Sequence, residues 1–223
     1  MVSAKEIRTK IKSIQSTQKI TKAMEMVAAS KMKKAQDKMF SSRPYTQKIS
    51  EVIAHVVKGT REYKHTYTVD RSVKVVGIIV ITSDRGLSGG LNINVLKLLM
   101  KLVATYSSKG IKIYFFVIGK KAISFLERYG YNIVSKKIGV GDNPTLHDVL
   151  GVVHTALTMF DKGLLDSIQL IYNEFVNTML QKPTVKQLIP IHHVVHNETI
   201  TKWDYIYEQD AKELLDKLLL RYV

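Results

Sequence analysis

From Ser3 to about Val57 apolar residues recur at helical spacing with no glycine, and Pro44 is the only proline. Lys, Ala, Met, Gln, Glu and Ile dominate the stretch, and most of these are good helix formers. Ser3 and Glu6 have the spacing of a capping box, which marks the start of a helix. Ile49, Val52, Ile53 and Val56 keep the period past Pro44, so the proline predicts a kink rather than an end, and Gly59 supplies the stop. At 1.5 Å per residue this helix would run roughly 80 Å, far more than a small domain is wide.

Positions 7, 11, 14, 18, 21, 25, 28, 32, 35 and 39 alternate steps of four and three and carry Ile, Ile, Ile, Gln, Thr, Glu, Ala, Met, Ala and Met. This is a coiled-coil seam with a polar interruption in its middle. At the interruption a second stripe, Ile20, Met24 and Val27, appears about 100° or more around the helix. A helix lying on its own core explains one stripe. Two offset stripes on one very long helix predict more than one partner.

Residues 73–191 change period and alternate strand with helix. The pattern predicts strands at Val73–Ile81, Ile111–Ile118, Asn132–Ser135, Ser167–Tyr172 and Val185–Ile191, and helices at Asn92–Ser107, Lys120–Tyr129 and Leu146–Asp161. Gly119, Gly130, Gly163 and Pro144 punctuate the joins. Such alternation predicts an α/β fold, a Rossmann-like, mostly parallel sheet flanked by helices, with the coiled-coil-type helix attached. A last amphipathic helix begins near Asp210. The expected division is a shaft helix over 1–58, an α/β domain over 59–209, and the start of a C-terminal helix over 210–223.

Charge changes the picture. The net charge is +15, and residues 1–50 hold twelve Lys/Arg against three acids. That asymmetry points the helix at an acidic partner: nucleic acid, anionic lipid or an acidic protein surface. The chain has no cysteine, which excludes disulfides, thiolate metal sites and a cysteine nucleophile. No run of eighteen apolar residues predicts a membrane span, and no apolar stretch follows the basic start as in a signal peptide.

The loop "ITSDRGLSGGLNIN", Ile81 to Asn94, raises the sharpest chemical question. Gly86-Leu87-Ser88-Gly89-Gly90 matches G-x-S-x-G, the turn that presents a serine nucleophile between a strand and a helix. Asp142, His147 and His154 follow it, but no glycine-rich oxyanion motif precedes it, and short matches of this kind arise readily by chance. As a phosphate cradle the loop lacks the lysine and the hydroxyl of G-x-x-x-x-G-K-[ST]. His192, His193 and His196 have metal-like spacing but no third-ligand cluster, which favours an exposed loop. Asp84 and Arg85 read as a local salt bridge or a docking contact. Lys5, Arg8, Lys12 and Lys19 share a helix face that could meet nucleic acid, yet no nucleic-acid motif accompanies them.

Four segments occur in order: "IRTKIKSIQSTQKITKAMEMVAASKMKKAQ" (Ile7 to Gln36), "SDRGLSGGLN" (Ser83 to Asn92), "GDNPT" (Gly141 to Thr145) and "WDYIYE" (Trp203 to Glu208). Together they closely resemble the gamma-subunit family of the F-type ATP synthase in its bacterial form, and the resemblance covers all 223 residues. It implies a central rotor shaft, an N-terminal helix paired with a C-terminal one inside a ring of alpha and beta subunits. It also implies a Rossmann-like foot on the epsilon subunit and the c-subunit ring. Proton flow through the membrane ring would be coupled to ATP synthesis in the beta subunits, at the cytoplasmic face of the bacterial inner membrane. The resemblance implies no catalytic residue, no cofactor and no nucleic acid, and it makes the Gly86–Gly90 loop a packing and docking loop.

Carried over by position, the family's bearing and lever contacts fall on Lys19, Lys22, Met24, Glu25 and Val27. The foot contacts fall on Tyr205, Tyr207 and Glu208. Ser88 stands where the family commonly has cysteine, and the chloroplast redox insert is absent. The family continues past "LLLRYV" into a second long helix, so a fragment, a truncated gene product and a differently built shaft are all compatible with this chain. A second reading also stays open: a basic-helix module that binds protein or nucleic acid without a rotor role.

Overall fold

The computed structural model describes residues 3–59, 65–141 and 144–191. The chain divides into two compact units, residues 1–48 and 49–223.

The first unit is helix. Helix α1 (Ala4–Gly59) opens with a reciprocal cap: the Ser3 amide donates to Glu6 Oε2 at 3.1 Å, and the Lys5 amide donates to Ser3 Oγ at 3.3 Å. Two of the amides that a helix start leaves unpaired are thereby satisfied. The hydroxyls of Thr9, Thr17 and Thr21 donate to the carbonyls of Lys5, Ser13 and Thr17. Threonine in mid-helix thus spends its polarity on its own backbone. Between residues 3 and 46 only Gln36 and Met39 are even half-buried. The helix runs through Pro44 without a break.

The second unit is a layered α/β body. Its elements are β1 (Val75–Ile81), α2 (Leu91–Ser108), β2 (Lys112–Ile118), α3 (Lys120–Arg128), β3 (Ile133–Lys137), α4 (Leu146–Asp161), β4 (Ser167–Phe175) and β5 (Gln181–Ile189). The five strands lie in the order β3-β2-β1-β4-β5. The first four run parallel, and β5 pairs with β4 antiparallel. From β1 the chain winds outward to β2 and β3, then crosses back to β4 on the other side of β1. Parallel crossovers are right-handed, so reversing the direction of winding moves the crossover helix to the opposite face.

The core divides as that rule requires. Strand side chains alternate between faces with period two. Val76, Ile78, Val80, Phe115 and Val117 meet α2 and α3 through Val95, Leu99, Val103, Ala122 and Leu126. Ile79, Phe116, Ile118 and Ile168 meet α4 through Val152, Ala156 and Phe160, and this second cluster also takes in Ile49 and Ile53 from α1. Phe116 and Phe160 are fully buried. Truncating either to Ala removes about 3–5 kcal/mol of packing. At the base of β1, Asp166 Oδ2 accepts the amides of Lys74 and Val75 at 2.8 and 2.9 Å. Helix α4 begins with a capping box, where the Asp148 carboxylate accepts both the Thr145 hydroxyl (2.6 Å) and the Thr145 amide (3.0 Å). Those two bonds, the hydroxyl first, hold the Asp148 carboxyl below the usual carboxylate range.

The α/β class, the mostly parallel sheet and the long helix are as the hydropathy pattern predicts. The last strand differs. It spans Gln181–Ile189 rather than Val185–Ile191, and Pro183 sits inside it opposite Asn173. Proline is tolerated there because β5 is an edge strand, and an edge residue can face its missing amide outward. Gln181, Lys182 and Thr184 have the polar character of an exposed edge, which conceals the beginning of the strand from a hydropathy reading. Strand β4 runs on to Phe175, because β5 pairs with it along that length.

Candidate functional site

The loop after β1 lies where the winding of the sheet reverses, the place where open α/β sheets characteristically bind ligands. Here protein side chains occupy it. Asn92, only 8% exposed, accepts the Ser83 amide at 3.0 Å through Oδ1, and its Nδ2 donates to Ser83 Oγ (2.8 Å) and Ser88 Oγ (3.1 Å). From β4, Asn173 Nδ2 donates to the Leu91 carbonyl at 3.0 Å. Asn173 Oδ1 is buried without a partner among the described residues, and an open acceptor repels an anion. This chemistry suits a closed joint, not a phosphate cradle.

Ser88 is not built as a nucleophile. In a nucleophile elbow the serine itself occupies the strained turn. In this loop the positive φ values belong to Leu87 (60°) and Gly89 (56°). The Ser88 hydroxyl is half-buried and accepts from Asn92, an amide that cannot serve as a general base. His154 Nδ1 lies 3.4 Å from the hydroxyl of Thr158 on its own helix. His147 is also on α4, whose buried residues pack on the other side of the sheet from α2. Asp142 lies outside the described residues.

Asp84 and Arg85 part ways. The Asp84 carboxylate accepts the Lys120 amide (2.9 Å) through Oδ1 and the Gly139 amide (3.0 Å) through Oδ2. It therefore ties the loop to the start of α3 and to the segment after β3, and does not form the local salt bridge with Arg85 that their adjacency offered. The Arg85 side chain is exposed, while its carbonyl accepts the Ser83 hydroxyl at 2.7 Å. Thr82 adds a third tie: its hydroxyl accepts the Ala122 amide at 3.0 Å. At the loop tip Leu87 is fully exposed. The whole arrangement is a braced loop presenting Arg85 and Leu87 outward.

On α1, Lys19, Lys22, Met24, Glu25 and Val27 are all exposed. Both apolar stripes are exposed with them, Ile14 at 67% on the seam and Met24 at 67% on the second stripe. Ser13, Ile14, Thr17, Gln18, Thr21, Lys22 and Glu25 share one exposed face of the helix, at the polar interruption of the seam. Tyr205, Tyr207 and Glu208 lie outside the described residues, as do Trp203, the histidines 192, 193 and 196, and the helix expected from Asp210. Among the described residues no group of three or more His, Asp or Glu is placed to hold a metal. No helix among them is long and apolar enough to cross a membrane.

Asn92, Asn173 and Thr82 carry the loop's geometry, yet the sequence pattern does not mark them. A polar residue buried against a neighbouring strand has no periodicity of its own. The one available signal was the position of Asn92 directly behind a glycine turn, at the first turn of a predicted helix.

Comparison with known proteins completes the picture. Residues 3–223 match the family model described as ATP synthase. The chain is 49% identical over 226 residues to the ATP synthase gamma chain of Pasteurella multocida (strain Pm70), an alignment covering 100% of this chain and 78% of that one. Its fold is similar to a chain in the central stalk and c-ring structure of the Tetrahymena thermophila mitochondrial ATP synthase, with a TM-score of 0.64 and 23% identity. That match covers 91% of this chain and 87% of the other. The match along residues 3–223 and this degree of identity lead to one statement: the chain belongs to the ATP synthase gamma-chain family.

Proposed function

We propose that the chain acts as the rotor of an F-type ATP synthase and carries no catalytic site of its own. In this reading α1 stands inside a ring of alpha and beta subunits, and the α/β body rests on the epsilon subunit and the c-subunit ring. Turning of the c-ring by protons then forces the beta subunits through their catalytic states. The complex sits at the cytoplasmic face of the bacterial inner membrane, with this chain held there peripherally.

The observation that carries the reading is the surface of α1. Its apolar residues lie exposed on two stripes about 100° apart, interleaved with an excess of lysine and arginine. A surface of that kind fits a helix that meets several partners in turn, and its charge fits acidic loops on them. Lys19, Lys22, Met24, Glu25 and Val27 are assigned to the bearing against the ring. Asp84 braces the loop that presents Arg85 as a docking group. Tyr205, Tyr207 and Glu208 are assigned to the foot.

Co-expression with the alpha, beta and epsilon subunits tests this. The chain is expected to co-purify with them and to support ATP hydrolysis by the assembly. Replacing Lys19 and Lys22 with Glu should weaken assembly and alter its salt dependence, because exposed charges are screened within about 10 Å at 0.1 M salt. A chain that never co-purifies with alpha and beta removes the rotor reading. Unchanged assembly of the double variant at low salt removes the assignment of the two lysines.

A further inference from the structure

Three departures from ideal helix bonding fall within two turns of α1. Pro44 has no N–H to give the Phe40 carbonyl, and its ring crowds that carbonyl. Ser41 Oγ and Ser42 Oγ both donate to the Lys38 carbonyl at 2.8 Å, one from three residues ahead and one from four. Thr46 Oγ1 donates to the Ser42 carbonyl at 3.3 Å. Hydroxyls bonded back onto helix carbonyls draw them off axis and bend helices. Lys38, Phe40 and Ser42, alternate residues along one stretch, thus all have perturbed carbonyls. Residues 40–46 are exposed, so water has access to whatever opens. A turn further on, Ile49 and Ile53 are buried in the core cluster that holds Tyr67 and Phe160.

From this arrangement we infer that α1 carries a built-in bending joint at Ser41–Thr46, just before the residues that the α/β body grips. Elsewhere in residues 3–40, Thr9, Thr17 and Thr21 each bond back singly, and no proline accompanies them. Only at 41–46 do paired serines, a threonine and a proline act on neighbouring carbonyls. The helix N-terminal to the joint can flex while Ile49 and Ile53 stay fixed. On the rotor reading, on which this consequence alone rests, the shaft helix then follows an asymmetric ring without levering its own foot apart.

The chain has no cysteine, so spin labels go only where they are placed. One labelled pair, Lys33→Cys with Glu51→Cys, spans the joint. A control pair, Lys12→Cys with Ser30→Cys, spans the same eighteen residues of helix away from it. Electron–electron distance distributions on the full chain should be broader across the joint than for the control. Pro44→Ala, which restores the missing donor and touches no core contact, should narrow the first distribution to the width of the second. Ser41→Ala with Ser42→Ala should narrow it in part. Equal widths in the unsubstituted chain, or a distribution that neither change narrows, overturn the inference. No partner subunit enters the measurement, so its outcome is independent of whether the chain assembles as a rotor.

Discussion

A Cβ on Gly119 would stand 2.1 Å from the carbonyl oxygen of Thr82, and Gly119 itself has φ 103°. The two residues meet because β1 and β2 end side by side and Thr82 anchors the start of α3. The Thr82 amide donates to the Ile118 carbonyl at 2.9 Å, and its hydroxyl accepts from Ala122. Only glycine fits there. Gly119→Ala combines a left-handed backbone with a clash against backbone that cannot swing aside, and it should cost about 3 kcal/mol or more. Urea unfolding followed in the α/β body checks this; a loss below about 1 kcal/mol would mean that the strand ends are not held together as described.

The loop that these residues brace yields a graded pair of outcomes. Ser88→Ala removes one acceptor from a half-buried amide hydrogen and should cost about 1 kcal/mol or less. Asn92→Ala strips the Ser83 amide and two hydroxyls of their partner in a buried position, and should cost about 1–3 kcal/mol. Equal or reversed losses would sink this account of the loop. A fluorophosphonate probe should leave Ser88 unlabelled, and labelling would revive a hydrolase.

Tyr67 gives the body a pH dependence at the alkaline end. Its phenol is pushed up to about 12, by burial first and then by the charge of Asp161, whose Oδ2 also accepts its proton at 3.3 Å. The unfolded phenol titrates near 10, so the folded state holds this proton more tightly. The associated stability is fully present below pH 10 and is lost as the pH rises toward 12. Tyr67→Phe should therefore flatten the fall in stability between those values relative to the unsubstituted chain. Parallel slopes for the two proteins in denaturation series across that range would remove Tyr67 as the cause.

The sequence carries the sheet and its helices legibly because burial on both faces leaves unbroken apolar runs, as in "VVGIIVI" of β1. The boundaries of α4 are legible for a different reason. Pro144 and Gly163 stand just outside its two ends, and that punctuation is local. What was not legible is long-range and polar. Asp84 reaches Lys120 and Gly139, 36 and 55 residues away, while its neighbour Arg85 offers the obvious but unused partner. Edge pairing hid the first residues of β5 in the same way, since Pro183 reads as a strand breaker until its position at the edge is known.

The exposed stripes of α1 lead to the last prediction. Ile7, Ile11, Ile14, Ile20, Met24 and Val27 are each about half exposed or more. Burying such surface contributes about 25 cal/mol per Å², and a helix in a protein draws most of its stability from it. Without that contribution the backbone bonds of the helix open locally at little cost. Strand β1 is the opposite case: Val76, Ile78 and Val80 have no exposed area, and both neighbours are hydrogen-bonded to it. Opening β1 means opening the sheet, so its amides report near-global unfolding. In hydrogen exchange on the isolated chain, residues 5–40 should exchange far faster than Val75–Ile81. Adding alpha and beta subunits should slow residues 5–40 and leave β1 unchanged. Slow exchange in both regions of a verified monomer would mean that the stripes are covered within the chain itself, and protection that the subunits fail to induce would remove the ring as their partner.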